Sequence, residues 1–231
     1  MARPTERKHL VLLVALVATL VAQPLLASIG TETVELGTAA VFGIYVLVFS
    51  LLFSPGWERR GVLLLFVPAG IGRAILYALP DRLATPAVVA FHTMSIVFLG
   101  FAVVVILKDL FRSGQIRLDD VLGAVCGYIL AALSWGHAYA LTYWFVPTAF
   151  EIGTRVAAQL GTTAMRQTLF NYLSFTTLTS IGFNDIAPAG APVYSLMWLE
   201  TVFGQFYLAV VVAQLVGLRL AQSVRERRGH E

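Results

Sequence analysis

The strongest constraint on this chain is a series of apolar stretches, each long enough to cross a membrane. A helix needs about 20 apolar residues to span a bilayer core of about 30 Å. Stretches of this kind lie at residues 10–29, 36–54, 61–79, 86–107, 119–146 and 193–218. With 58% hydrophobic and 13% charged residues, the 231-residue chain has more apolar surface than a soluble domain can bury. The sequence therefore predicts an all-α membrane protein with six transmembrane helices.

Positive charges predict the orientation of these helices, because short cytoplasmic loops are enriched in lysine and arginine. With the N-terminus inside, all but four of the 16 basic residues fall on the cytoplasmic side. The exceptions are Arg73, Arg82, Arg155 and Arg166. Both termini are therefore predicted to be cytoplasmic, and residues 221–231 form a short basic tail there.

The first four stretches predict a four-helix transmembrane domain over residues 1–107, followed by a cytoplasmic linker at 108–118. A helical membrane domain that senses voltage needs several arginines at three-residue spacing on one helix. The fourth stretch, 86–107, contains neither arginine nor lysine. This domain therefore lacks voltage-sensor arginines, and steep voltage dependence is not expected.

The long gap between the fifth and sixth stretches contains a polar segment that bears glycine. Residues 165–179 are amphipathic and about half a membrane long. We expect a re-entrant helix there, followed by an extended segment that returns to the outside. Irregular backbone at membrane depth is tolerated only where it is buried in protein or lines a water-filled path. Carbonyls at the C-terminal end of such a helix present partial negative charge, which favours a cation.

The residues from Thr177 to Asp185, TLTSIGFND, resemble the filter signature of the tetrameric potassium-channel superfamily, Thr-x-Thr-Thr-Val-Gly-Tyr-Gly-Asp, in its bacterial pore-loop form. Leu199–Leu218, LETVFGQFYLAVVVAQLVGL, is similar to the inner helix of bacterial members. The resemblance covers roughly residues 119–220 and implies a pore domain. Its expected parts are an outer helix 119–146, a pore helix 165–179, a selectivity filter 180–184 and an inner helix 193–220.

The resemblance also implies which groups bind the ion. The filter residues would be Ser180, Ile181, Gly182, Phe183 and Asn184. The backbone carbonyls of residues 180–183 and the hydroxyl of Ser180 would bind a monovalent cation. No cofactor is expected apart from potassium ions in the filter. Four copies would surround one pore. The implied partners are three further copies of the chain, membrane lipid and monovalent cations, with no nucleic acid.

Three residues are expected to support the filter: Thr179, Asp185 and Tyr172, the last as a hydrogen-bonding partner for the aspartate. Two filter positions depart from the family signature. Ser180 replaces a threonine, which keeps the hydroxyl but loses the methyl group that restricts the rotamer. Asn184 replaces the second filter glycine, and asparagine tolerates positive φ better than most residues. A weakly selective cation pore is therefore the alternative to a potassium-selective one.

Several residues within the apolar stretches have two interpretations. Gly204 is a candidate gating hinge, or it allows close helix packing. Glu200 is ionisable within a span, which suggests function, but a hydrogen bond to the pore helix or to Arg166 is favoured. His137 is expected to form an interhelical hydrogen bond, with pH sensing as the alternative.

The sequence as a whole predicts a homotetrameric potassium-type cation channel, integral to a bacterial inner membrane. It contains no phosphate-binding loop, metal-ligand cluster or nucleophile–base pair, so an enzyme is not predicted. A secondary transporter is disfavoured because there is no internal repeat and only one re-entrant segment. A membrane subunit that does not conduct is the remaining alternative.

Overall fold

The computed structural model describes residues 8–29, 81–112, 117–158, 163–182 and 185–228. In chain order the elements are α1 (Lys8–Ile29), α2 (Asp81–Arg112), α3 (Leu118–Phe145), a 3-10 turn (Pro147–Ala149), β1 (Phe150–Ile152), α4 (Thr154–Ala157), α5 (Thr163–Leu178), β2 (Ile186–Pro188) and α6 (Ala191–Arg228). The predicted spans 36–54 and 61–79 lie outside the described residues, as do Arg73, Phe183 and Asn184.

Four of the described helices are long and apolar enough to cross a membrane: α1, α2, α3 and α6. They coincide with the first, fourth, fifth and sixth spans predicted from the sequence. The chain is therefore a mostly helical, membrane-embedded protein. Its described strands form only a two-stranded antiparallel ladder of three residues each.

Two of these helices extend beyond the apolar stretches that predicted them. Helix α2 continues to Arg112, into the predicted linker 108–118, and α6 continues to Arg228, into the predicted tail 221–231. The loss of apolar composition therefore does not end a helix. Arginine, glutamate and leucine propagate helices well in water, so both helices continue where the sequence becomes polar.

Helix α3 lies at the centre of the described fold and packs against α1, α2, α5 and α6. Its glycines allow this, because small residues let membrane helices approach closely. A side chain at Gly127 would meet the Tyr207 hydroxyl of α6, and one at Gly136 would meet Asn171 of α5. The core formed between α1, α2, α3 and α6 contains buried side chains from all four helices, including Leu16, Leu99, Leu130 and Val211.

Two buried histidines join α2 to α3. The Nδ1 atoms of His92 and His137 lie 3.0 Å apart, so one ring donates and the other accepts. One turn away, the Ser134 hydroxyl donates to the carbonyl of Ile96 at 3.3 Å. Polar side chains within a bilayer are stabilised by such bonds across helices. The interhelical hydrogen bond predicted for His137 is confirmed.

Asp119 joins the beginning of α3 to the beginning of α1. One of its carboxylate oxygens accepts from the backbone N–H of His9 at 3.0 Å, and the other lies 2.8 Å from His9 Nδ1. The first amides of a helix lack an intrahelical acceptor, so Asp119 caps α1 from another helix. The side chains of His9 and Asp119 are 5% and 12% exposed, whereas those of the neighbouring pair Lys8 and Asp109 are 25% and 47% exposed. The first pair is therefore shielded from water and the second is not.

Replacing Asp119 by alanine is expected to destabilise the protein by about 1–2 kcal/mol, because the first turn of α1 loses its acceptor. Asp109→Ala is the matched control, since an exposed ion pair contributes only about 0–1 kcal/mol. Thermal unfolding of both variants in detergent, followed by circular dichroism, measures the difference. Equal losses of stability would contradict the capping role of Asp119.

Candidate functional site

The strand pair brings together the two ends of the segment between α3 and α6. Strand β1 follows α3 and pairs with β2, which precedes α6, so that Phe150 lies opposite Pro188. Next to this pair, the N–H of Gly153 donates to the carbonyl of Asp185 at 3.1 Å. The segment therefore begins and ends at the same end of the two long helices, and α5 with its following loop lies between these points.

Helix α5 runs antiparallel to α3 and ends partway along the long helices α3 and α6. Near its middle, the Ser174 hydroxyl donates to the carbonyl of Ala132 at 2.6 Å. At its end, the Tyr128 hydroxyl donates to the carbonyl of Leu178 at 3.0 Å. With 16 residues, α5 is about 24 Å long. Its last turn contacts α6 at Gly204, about 20 Å from the start of that helix.

Helix α5 ends in a Schellman motif, a closing turn in which a left-handed residue follows the helix. That residue is Ser180, with a φ of 58°. Its N–H donates to the carbonyl of Thr177 at 2.9 Å, and the N–H of Ile181 donates to that of Thr176 at 2.9 Å. These two bonds define the motif. Glycine is usual at the left-handed position because a side chain is strained there. The predicted filter therefore begins within a helix-capping turn and not in an extended segment.

The last carbonyls of α5 are used within the chain. Those of Thr176 and Thr177 accept from the capping turn, and that of Leu178 accepts from Tyr128. These three carbonyls therefore each have a hydrogen-bonding partner within the chain. The helix also places partial negative charge at this end.

The described filter residues lie at the surface of the single chain. Ser180, Ile181 and Gly182 are all exposed, with Ile181 at 61%. Gly182 has a φ of 63°, and a side chain there would meet no atom within 4 Å. Glycine is thus needed at 182 for its backbone conformation and not for space. The preceding residue, Thr179, is held by its hydroxyl, which donates to the carbonyl of Phe175 at 2.6 Å.

Tyr172 and Asp185 are in contact, as the resemblance implies. The Tyr172 hydroxyl donates to Asp185 Oδ2 at 3.3 Å, and both residues are exposed. Partial desolvation raises the pKa of the Tyr172 phenol, and the neighbouring charge and hydrogen bond of Asp185 add to the rise. The tyrosine therefore stays a neutral donor at physiological pH. This bond connects the outer part of α5 to the residue that follows the filter.

Gly204 is the point of closest approach between α5 and α6. A side chain built there would collide with the backbone carbonyl oxygen of Leu178. Helix α6 is continuous through this position. The structure therefore gives Gly204 a packing role, while its role as a gating hinge stays a prediction.

Glu200 is fully buried and binds two neighbouring helices. Tyr139 of α3 donates its hydroxyl to Glu200 Oε2 at 2.5 Å, and Ser174 Oγ of α5 lies 2.5 Å from Oε1. The carboxyl group thus connects α3, α5 and α6 at one point. The predicted hydrogen bond between Glu200 and the pore helix is confirmed, with Ser174 as the partner.

Gln205 is absent from the residues predicted from the sequence, yet it contacts Ser180, the first residue of the predicted filter. Its Nε2 donates to the Ser180 hydroxyl at 3.0 Å. The sequence does carry a signal for it: a carboxamide stands within the apolar run VFGQFYLAVVVA, and polar groups in membrane helices need partners. The identity of its partner follows only from the packing of α5 against α6.

Protein-family models, curated proteins and solved structures yield no match to this chain. Its function is therefore inferred from the residues and their geometry.

Gly204→Ala is expected to destabilise the protein by about 1–3 kcal/mol, because the added methyl group meets a backbone carbonyl that cannot easily move. Gly217→Ala in the same helix is the control: a side chain there meets no atom within 4 Å, and alanine favours the helix by about 1 kcal/mol. Thermal midpoints in detergent report both changes. A Gly204 variant as stable as the Gly217 variant would argue against the close approach.

Tyr139→Phe is expected to cost about 1–3 kcal/mol, since it removes one of the donors to a buried carboxyl group. Tyr194→Phe, at an exposed position on α6, provides the control for loss of a phenolic hydroxyl. Both variants can be compared by titrating the folded protein with SDS in mixed micelles. If the two lose the same stability, the bond to Glu200 contributes nothing measurable.

Proposed function

We propose that this chain is a subunit of a potassium-type cation channel, in which four copies surround one pore. The observation that carries the proposal is the position of α5. The segment between α3 and α6 leaves and returns at the same end of these two helices, and the capping turn of the short helix α5 presents exposed backbone partway along them. A membrane protein tolerates irregular backbone at that depth when it lines a water-filled path.

The conduction mechanism follows from the chemistry of this backbone. Carbonyl oxygens of residues 180–183 would replace the hydration shell of a monovalent cation, with Phe183 and Asn184 completing the filter. The negative end of α5 would lower the energy of a cation near its last turn. Ions would move in single file, and repulsion between neighbouring ions would help each one to leave.

Assembly into a tetramer accounts for the surface that the single chain leaves uncovered. One chain supplies one wall of a pore, and its filter residues are exposed. Large apolar side chains on α6 are exposed too, with Trp198 at 68% and Phe206 at 67%. Three further copies and lipid would cover these faces.

The expected location is a bacterial inner membrane with both termini in the cytoplasm. Gating would occur at the inner helices or at the filter.

A weakly selective cation pore is the second candidate. The observation in its favour is Ser180, which carries a hydroxyl without the methyl group that would fix its rotamer and which adopts a strained left-handed backbone. Reversal potentials in opposed potassium and sodium gradients separate the candidates. A clear shift towards the potassium equilibrium potential supports the selective channel, and a reversal potential near zero supports the other.

Potassium flux into vesicles containing the purified protein tests the proposal. Gly182→Ala is expected to lower the flux at least about tenfold, because alanine at positive φ is strained by roughly 1–2 kcal/mol in every copy. Gly217→Ala should conduct as the native chain does, since a side chain there meets no atom within 4 Å.

Identical flux through the native chain and Gly182→Ala would show that the filter is assigned to the wrong residues. Slow, saturable flux without single-channel currents would point to a transporter instead. A tetrameric native protein that passes no ions would point to a non-conducting subunit.

A further inference from the structure

We infer that Gln205 sets the ion selectivity of the proposed channel by holding the Ser180 hydroxyl in one orientation at the inner end of the filter. The inference rests on the proposed function and assigns a role to a residue outside the filter itself.

The packing of α5 against α6 places the two side chains together. Gly204 has no side chain, so the end of α5 lies directly against α6 at that level. Gln205 is the next residue, and its Nε2 donates to Ser180 Oγ at 3.0 Å. The contact is therefore a consequence of the closest approach between the two helices.

Both side chains lie on the exposed side of the single chain. Gln205 and Ser180 are exposed, as are the adjacent Thr179 and Ile181. The residues next to Gln205 along the helix are apolar, Phe206 among them. The amide thus contributes a hydrogen-bonding group to the same face as the filter backbone. In a tetramer that face would surround the pore, with four amides and four hydroxyls in one ring.

The bond supplies what the serine side chain lacks. A threonine at this position would have its χ1 angle restricted by its methyl group, whereas serine samples three staggered rotamers freely. Donation from Gln205 selects one of these rotamers. A hydroxyl oxygen has two lone pairs, so accepting the amide N–H leaves the second lone pair for a cation. The hydrogen bond from Gln205 would therefore restrict the Ser180 rotamer, as the methyl group of a threonine would do.

A bond that merely attached the loop to α6 would affect stability without affecting selectivity. Selectivity depends on where the hydroxyl oxygen lies, because a ligand that moves freely adapts to potassium and sodium alike. The permeability ratio is therefore the measurement that separates a positioning role from a purely structural one.

The decisive variant is Gln205→Met in the full-length chain, which keeps the side-chain length and removes the amide. The potassium-to-sodium permeability ratio, obtained from reversal potentials of the reconstituted protein, is expected to fall about three- to tenfold, the ratio that corresponds to one net hydrogen bond. Gln214→Met, nine residues further along α6 and on its opposite face, should leave the ratio unchanged.

Gln205→Asn is the second variant, in case methionine prevents assembly. It retains the amide but shortens the side chain by one methylene, so the amide no longer reaches Ser180, and the same fall in the ratio is expected. An unchanged ratio in an assembled Gln205 variant overturns the inference while leaving the channel itself in place. A native protein that passes no ions overturns the proposed function and this inference together.

Discussion

The contact between the end of α5 and the middle of α6 is the interaction on which the rest of the site depends. The backbone carbonyl of Leu178 lies against Gly204, where any side chain would collide with it. The same carbonyl accepts a hydrogen bond from Tyr128 of α3. One backbone oxygen is thus held between both long helices. Since Leu178 is the last residue of α5, this contact fixes the level at which the capping turn and the following loop begin.

The buried face of α6 fixes both how far α5 extends along the long helices and how α5 is rotated about its own axis. Glu200 and Gly204 are four residues apart and lie on one side of the helix, and Tyr207 continues the same stripe. Glu200 is hydrogen-bonded to α3 and α5, Gly204 admits the end of α5, and Tyr207 donates to the Ala124 carbonyl of α3 at 2.8 Å. An ionisable residue in a membrane helix suggests function by default. Here the carboxyl group joins three helices, which gives Glu200 a structural role.

The capping turn has a chemical consequence for the proposed pore. The turn occupies the carbonyls of Thr176 and Thr177 with hydrogen bonds from Ser180 and Ile181. Ser180 is at once the left-handed residue of the cap and the first residue of the predicted filter. Ser180 therefore terminates α5 and, in the proposed pore, would also bind the ion. Gln205 of α6 contacts this residue.

The sequence by itself determined the features that depend on composition and near neighbours. Apolar length predicted four described helices at the correct places, and the boundaries of α3 and α5 lie within two residues of the predicted 119–146 and 165–179. The C-terminal end of α6 was not predictable in this way, because hydropathy reports the membrane surface and not the end of the helix. The motif from Thr177 to Asp185 identified the segment that contains the candidate filter.

Only the tertiary structure decided which distant residues meet. Tyr139 and Glu200 are 61 residues apart, and Ser180 and Gln205 are 25 apart. No local propensity selects such pairs, because they exist only once three helices have packed at particular rotations and depths. The same is true of Gly204: the sequence left open whether it bends a helix or admits a neighbour, and the position of one carbonyl from α5 assigns it a packing role.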